Sequence, residues 1–116
     1  MKRALVTGAG ARIGRAMALT LGQQGYDVAV HYATSKQAAE EVVAALGEMG
    51  RTAVALQADL LDEATVQTLV PAAMAALGGP LTCLVNNASI FEYDNITNAT
   101  RSSWDRHLES NLRAPF

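Results

Sequence analysis

The stretch Ala4-Leu5-Val6-Thr7-Gly8-Ala9-Gly10-Ala11-Arg12-Ile13-Gly14 decides the fold. Three apolar residues predict a short buried strand, and glycines follow at once. An amphipathic pattern from about Arg12 to Gln24 then predicts a helix that stops at Gly25. Glycines at this point permit a tight strand-to-helix turn and a close approach of backbone to a bound group. The helix N-terminus adds free N–H groups and a partial positive charge, which together suit a pyrophosphate. Any sharp turn can carry glycine for its own sake; the position between first strand and first helix favours the phosphate reading.

Outward from that loop, the same alternation repeats. Val28-Ala29-Val30 predicts a second strand, and Ala39, Val42, Val43, Leu46 and Met49 fall at helical spacing between Ser35 and Met49. Gly50 ends that helix and Thr52 to Leu56 predicts a third strand. Asp62 is placed to cap a helix carrying Val66, Leu69, Val70, Ala73, Met74 and Leu77, with a kink or break expected at Pro71. After the turn Gly78-Gly79-Pro80, Leu81–Val85 reads as a fourth strand buried on both faces. A polar loop runs to about Thr100, and a last helix carries Trp104, Leu108 and Leu112. Strand starts near 3, 27, 52 and 81 give spacings of about 24–29 residues, which suit parallel strands joined through helices. The chain reads as one α/β domain with a parallel sheet.

Composition narrows the function. The 116 residues carry 9 Lys+Arg and 11 Asp+Glu, a net charge of −2, which excludes the basic footprint of a non-specific nucleic-acid binder. Half the residues are hydrophobic and 17% are charged, so the chain can build a core and is not disordered. The single cysteine, Cys83, permits neither an internal disulfide nor a Cys-rich zinc site; it reads as a small buried hydrophobe, and no metal is expected. No apolar stretch approaches the roughly 18 residues of a membrane span. The apolar run after Met1-Lys2-Arg3 stops at Thr7-Gly8, too short for a secretory leader, so the expected location is cytoplasmic, with no membrane or nucleic-acid partner.

The end of the second strand bears on which nicotinamide cofactor the loop suits. An NAD site usually places a carboxylate there for the ribose 2′-hydroxyl. This chain reads Asp27-Val28-Ala29-Val30-His31-Tyr32-Ala33-Thr34-Ser35. Asp27 stands at the wrong end, roughly 13 Å from the carboxyl terminus of the strand at about 3.3 Å per residue. Arg12, His31 and Ser35 are instead placed to surround a 2′-phosphate, with Arg12 supplying charge-assisted hydrogen bonds. The expected cofactor is NADP(H). Thr34-x-x-Gln37 also fits a capping box for the next helix, and both readings can hold together.

With these pieces in place, the chain resembles the short-chain dehydrogenase/reductase family along its whole length. The motifs are the Thr7–Gly14 loop, Ala58-Asp59-Leu60 after the third strand, Asn86-Asn87-Ala88 after the fourth, and Ser110-Asn111-Leu112 in the last helix. The resemblance implies a Rossmann-type doubly wound sheet, its first four β-α units in the order 3-2-1-4. It implies a cofactor site of Gly8, Gly10, Arg12, Ile13, Gly14, His31, Tyr32, Ser35, Asp59, Leu60, Asn87 and Ala88. Asp59 would accept from the adenine amino group, with the Leu60 backbone against the same ring. Asn87 and Ala88 would line the ribose, and Ile13 would back the nicotinamide. Asn111 would be the asparagine of the catalytic tetrad, orienting a water in the proton relay. Taken singly, Asp59 reads equally well as a turn acid and Asn111 as a backbone-bonded helix residue.

Within the family the chain is most similar to pteridine reductases and dihydrofolate/dihydromonapterin-type reductases. Arg12 in place of the middle glycine, His31-Tyr32-x-x-Ser35 and Asn87-Ala88-Ser89-x-Phe91 carry that similarity, while Ala11 and Ala33 depart from it. It implies a substrate site with Ser89 against substrate or cofactor and Phe91 stacked on a pterin. A flat ring clamped this way is held near the hydride donor.

Hydride transfer to a carbonyl or imine also needs an acid. The family supplies a serine, a tyrosine and a lysine, the last two at Tyr-x-x-x-Lys spacing on one helix. Here that spacing occurs only at Tyr32–Lys36, where a strand gives way to a helix, so the two do not share a helical turn. The expectation is that 1–116 is the N-terminal dinucleotide-binding part of a single domain, inactive alone, whose C-terminal part lies outside this sequence. When complete it would be an NADPH-dependent reductase of a small molecule and a homo-oligomer, dimer or tetramer, with the last helix in an interface or in the core. The alternative is a non-catalytic nucleotide-binding module complete at this length.

Overall fold

The computed structural model describes residues 1–116 apart from 91 and 93. Strand β1 (Arg3–Val6) leads into helix α1 (Arg12–Gln23), β2 (Asp27–Tyr32) into α2 (Lys36–Glu48), and β3 (Ala53–Gln57) into α3 (Glu63–Leu77). The chain continues through β4 (Cys83–Val85) and α4 (Arg101–Leu108), which passes directly into a π-helical turn over Glu109–Arg113. The strands form one parallel sheet in the order β3-β2-β1-β4, a Rossmann-type arrangement.

Strand periodicity explains how two cores arise from nearly continuous apolar runs. Successive side chains point to opposite faces of a sheet. Val6, Val28 and Val30 therefore join Ala18, Val42 and Leu46 beneath α1 and α2, whereas Leu5 and Ala29 join Leu69, Ala73 and Leu77 beneath α3. Helices α1, α2 and α3 turn their apolar stripes to the sheet, and the loops at the carboxyl ends of the strands are left at one edge. In open α/β sheets that edge is where ligands bind.

Local chemistry departs from expectation at four places. The helix α3 runs through Pro71 without the expected break. Pro71 is exposed while Leu69 and Ala73 on either side are buried, so tertiary packing holds the helix across the missing N–H. The Thr34-x-x-Gln37 capping box does not form: the N-cap of α2 is Ser35, and no side chain caps it. Strand β4 is shorter than Leu81–Val85, and Leu84 is 46% exposed, so it is not buried on both faces. It ends the strand order with one edge paired to β1, which leaves the other edge without a strand among the described residues. Trp104, Leu108 and Leu112 are exposed rather than packed in the core. By contrast Asp62 caps α3 as expected, its carboxylate accepting from the Ala64 N–H at 3.2 Å. Among the described residues no helix is long and apolar enough to cross a membrane.

Candidate functional site

Thr7, the residue after β1, organises the carboxyl edge of the sheet. Its N–H donates to the Val85 carbonyl at 3.0 Å, extending the β1–β4 pairing. Its hydroxyl accepts from the N–H groups of Asn87 at 3.1 Å and Ala88 at 3.0 Å. The loop after β4 is thereby bent back over the loop after β1. Asn87 completes the link, its side-chain amide donating to the carbonyls of Thr7 and Gly8, each at 3.1 Å. Both acceptors are carbonyl oxygens, which fixes the orientation of the amide.

The glycine loop is shaped by contact as much as by flexibility. Gly8 has φ +62°, a left-handed conformation that favours glycine. Gly14 sits in α1 where an added Cβ would lie 2.2 Å from the Gly8 carbonyl oxygen and 2.5 Å from Asn87 Nδ2. Only a residue without a side chain lets the first helical turn come this close to the loop. Helix α1 has no side-chain N-cap and no acidic residue in its first turn. Its N-terminal dipole is therefore available to an anion. The cradle fits a dinucleotide pyrophosphate.

A cavity of about 510 Å³ opens at this edge. Its walls bring together Gly8, Arg12, Ile13 and Gly14 from the first loop with Asp59 and Leu60 after β3. Asn87, Ala88 and Ser89 close it from the loop after β4, and His31 reaches it from the end of β2. Arg12 and Ile13 are exposed there, Ile13 to 70%. The Asp59 carboxylate accepts from the Leu61 N–H at 2.9 Å, so the turn acid keeps a local job while its residue lines the wall.

Other expected residues are engaged differently or lie off the cavity wall. His31 is 1% exposed, and its ring is committed to backbone: Nδ1 accepts from the Gly8 N–H at 3.0 Å and Nε2 sits 2.9 Å from the Ala58 carbonyl. Burial holds its pKa below the ordinary 6.5, against the opposing effect of the Ala58 carbonyl. A neutral ring with both nitrogens engaged cannot serve as a 2′-phosphate ligand, and that expectation is corrected. Tyr32 packs against the core beneath α1 and α2 rather than on the cavity. An added Cβ on Gly10 would sit at ordinary contact distance, 3.4 Å or more, from Ala38 and Ala39 of α2, and Gly10 lies outside the cavity wall. Ser35 is exposed at the start of α2, outside the cavity wall. Phe91 lies outside the described residues.

Asn111 stands in the π-helical turn, beyond the cavity wall, and clamps the loop after β4. Its Oδ1 accepts from the Ile90 N–H and its Nδ2 donates to the Ile90 carbonyl, both at 2.9 Å. The neighbouring Ser110 is buried and lines the cavity. Further along, Arg106 pairs with the Glu92 carboxylate through a 2.7 Å bond from Nε, and this bond holds the Glu92 pKa below its usual value. The Glu92 N–H donates to His107 Nε2 at 3.0 Å. Thr7, Ser110 and this Glu92–Arg106–His107 clasp were not singled out from sequence. The only sequence signal for the first two was membership in the Thr7–Gly14 and Ser110–Leu112 motifs.

Comparison with known proteins places this geometry. A profile for short chain dehydrogenase matches residues 2–116. The chain belongs to the short-chain dehydrogenase family. The 3-oxoacyl-[acyl-carrier-protein] reductase FabG of Staphylococcus aureus is 39% identical over 99% of this chain, covering 46% of the relative. A short-chain dehydrogenase from Burkholderia cenocepacia, solved in complex with NADP, superposes with a TM-score of 0.93 at 43% identity; 97% of this chain covers 46% of that one. FolM alternative dihydrofolate reductase 1 from Brucella canis, complexed with NADP, gives a TM-score of 0.92 at 36% identity, with coverage of 98% and 46%. This short-chain dehydrogenase chain spans about half the length of the relatives it matches.

Proposed function

We propose that this chain forms the NADP(H)-binding half of a reductase that delivers hydride to a C=O or C=N bond. The observation that carries the reading is the cradle: Gly8 and Gly14 without side chains, an uncapped α1 N-terminus, and the Thr7 and Asn87 bonds that hold the loop in place. NADP-bound neighbours of the same fold support the choice of cofactor. When bound, the nicotinamide supplies the hydride.

The chain's own residues bind and orient. The uncapped α1 N-terminus would face the pyrophosphate, with Gly8 and Gly14 leaving it room, and Asp59 with Leu60 would take the adenine side. Asn87 and Ala88 line a ribose, and Ile13 offers an apolar surface to the nicotinamide. Arg12, exposed at the cavity mouth, is assigned to the 2′-phosphate, with Ser35 at the start of α2 as its partner. Asn111 positions the loop that carries Ser89 through its two bonds to Ile90, and as the tetrad asparagine would also orient a water. The acid that protonates the product would come from residues beyond this sequence, while the exposed Trp104, Leu108 and Leu112 of the last helix support its place in a homo-oligomer interface.

For the substrate we assign a pterin or dihydrofolate. The Asn87-Ala88-Ser89-x-Phe91 pattern and the similarity to FolM support it. The FabG relatives favour a second reading, a 3-oxoacyl thioester. The test is NADPH oxidation by the full-length gene product with 7,8-dihydropterin and with a 3-oxoacyl thioester. Turnover of the pterin that falls on Phe91→Ala, with NADPH affinity retained, is expected. Turnover of the thioester alone would transfer the assignment to the second reading, and turnover of neither substrate would count against both.

A further inference from the structure

The end of β2 holds a side chain that the nucleotide reading leaves without a role. His31 touches the glycine loop twice: its ring Nδ1 accepts from the Gly8 N–H at 3.0 Å, and its own carbonyl accepts from the Ala9 N–H at 3.0 Å. On the far side of the ring, Nε2 meets the Ala58 carbonyl at 2.9 Å, at the end of the β3 segment that carries Asp59. A carbonyl oxygen only accepts and a backbone amide only donates. The bond network therefore assigns the proton to Nε2 and leaves Nδ1 bare. The Gly8 peptide is fixed at both ends, its N–H by His31 and its oxygen by Asn87 at 3.1 Å.

We propose that His31 is the positioning residue of the cofactor loop: its bare Nδ1 locks the Gly8 peptide plane and so keeps the Gly8–Gly14 cradle open to a dinucleotide. This rests on the NADP(H) reading above. Adding a proton to Nδ1 turns two partners into two donors facing each other, and Gly8 loses its acceptor inside a site that is 1% exposed at His31. The bond to Ala58 survives protonation; the bond to the loop does not.

The elements around this end carry charged and titratable groups. Arg12 comes from the loop and Asp59 from the turn after β3, both lining the same cavity, while Tyr32 is next along β2. Asp62 and Glu63 open α3. None of them supplies either of the ring's hydrogen bonds, which go to backbone. Burial lowers the His31 pKa, so the neutral ring is the folded-state form at neutral pH. The sign follows: the loop is fully formed above the ordinary histidine value of 6.5 and loses its anchor as pH falls through the lowered one.

The experiment measures NADPH dissociation constants of the full-length gene product between about pH 8 and about pH 5 for wild type, His31→Asn and His31→Leu. Asparagine offers an acceptor near the Nδ1 position that does not titrate; leucine offers none. Expected are near-wild-type affinity for His31→Asn at the upper end and about ten-fold weaker binding for His31→Leu. The difference between wild type and His31→Asn should appear only as the pH falls, since ionisation of the ligand is common to both. Wild-type affinity in His31→Leu, or an unchanged pH profile in His31→Asn, overturns the proposal.

Nitrogen-15 NMR of the wild type keeps the idea testable if the leucine variant does not fold. A ring protonated at Nε2, with the Gly8 amide resonance moving in step with its titration, supports the clasp. An Nδ1–H tautomer, or a Gly8 amide indifferent to pH, refutes it. Failure of NADPH to bind wild type at every pH would refute the cofactor reading, and would show as a different result from a silent Gly8 amide.

Discussion

Arg12 stands at the middle-glycine position of the loop motif that this chain resembles, and among the described residues it is the non-glycine residue with a positive φ, +55°. Left-handed backbone costs an L-residue about 1–2 kcal/mol, and a glycine costs about 0.5–1 kcal/mol through its freedom in the unfolded chain. Arg12→Gly is therefore expected to raise unfolding free energy by no more than about 1.5 kcal/mol while removing the guanidinium from the cavity. Equilibrium denaturation checks the first part and the ratio of NADPH to NADH affinity the second; an unchanged ratio would remove Arg12 from the 2′-phosphate site. Gly14 behaves oppositely. Gly14→Ala places a methyl 2.2 Å from the Gly8 oxygen, and overpacking of this kind costs about 1–3 kcal/mol. Its midpoint in urea should fall together with its NADPH affinity; normal values of both would mean that the helix yields easily. The contrast between these two sites was only half visible in the sequence, where the motif marks the positions but not which of them tolerates a side chain.

At the scale of elements, apolar spacing made the β-α alternation legible because it reports which face of each helix meets the sheet. It failed where neighbours decide. Pro71 signals a break that the packing of Leu69 and Ala73 overrides, and Thr34-x-x-Gln37 fits a cap that the backbone at Ser35 does not adopt. Leu81–Val85 reads as doubly buried, yet apolar composition cannot say whether both edges and faces of β4 find partners in this chain. His31 was misassigned for the same reason: its distance from the glycines is right for a phosphate ligand, but ring orientation is set by Gly8 and Ala58, which sequence spacing does not reveal. The π-helical turn also escaped the helical pattern. It places Asn111 where both ends of its amide reach Ile90, and Asn111→Ala should speed hydrogen exchange of the Ile90 amide about ten-fold, matching the loss of one or two exposed-loop hydrogen bonds. Exchange at the wild-type rate would show that other contacts hold the loop.

For the whole molecule, the parallel sheet gathers the ends of β1, β2, β3 and β4 at one edge, and the dinucleotide assignment depends on that convergence more than on any single motif. The central claim is that this edge binds a phosphorylated nicotinamide dinucleotide in preference to its unphosphorylated form. Calorimetric titration of the full-length gene product with NADPH and NADH, in wild type and Arg12→Gly, tests it most directly. Tighter binding of NADPH by about ten-fold or more, about 1.4 kcal/mol, is expected, with the preference reduced in the variant. Equal affinity for the two cofactors in wild type, or binding of neither, would contradict it.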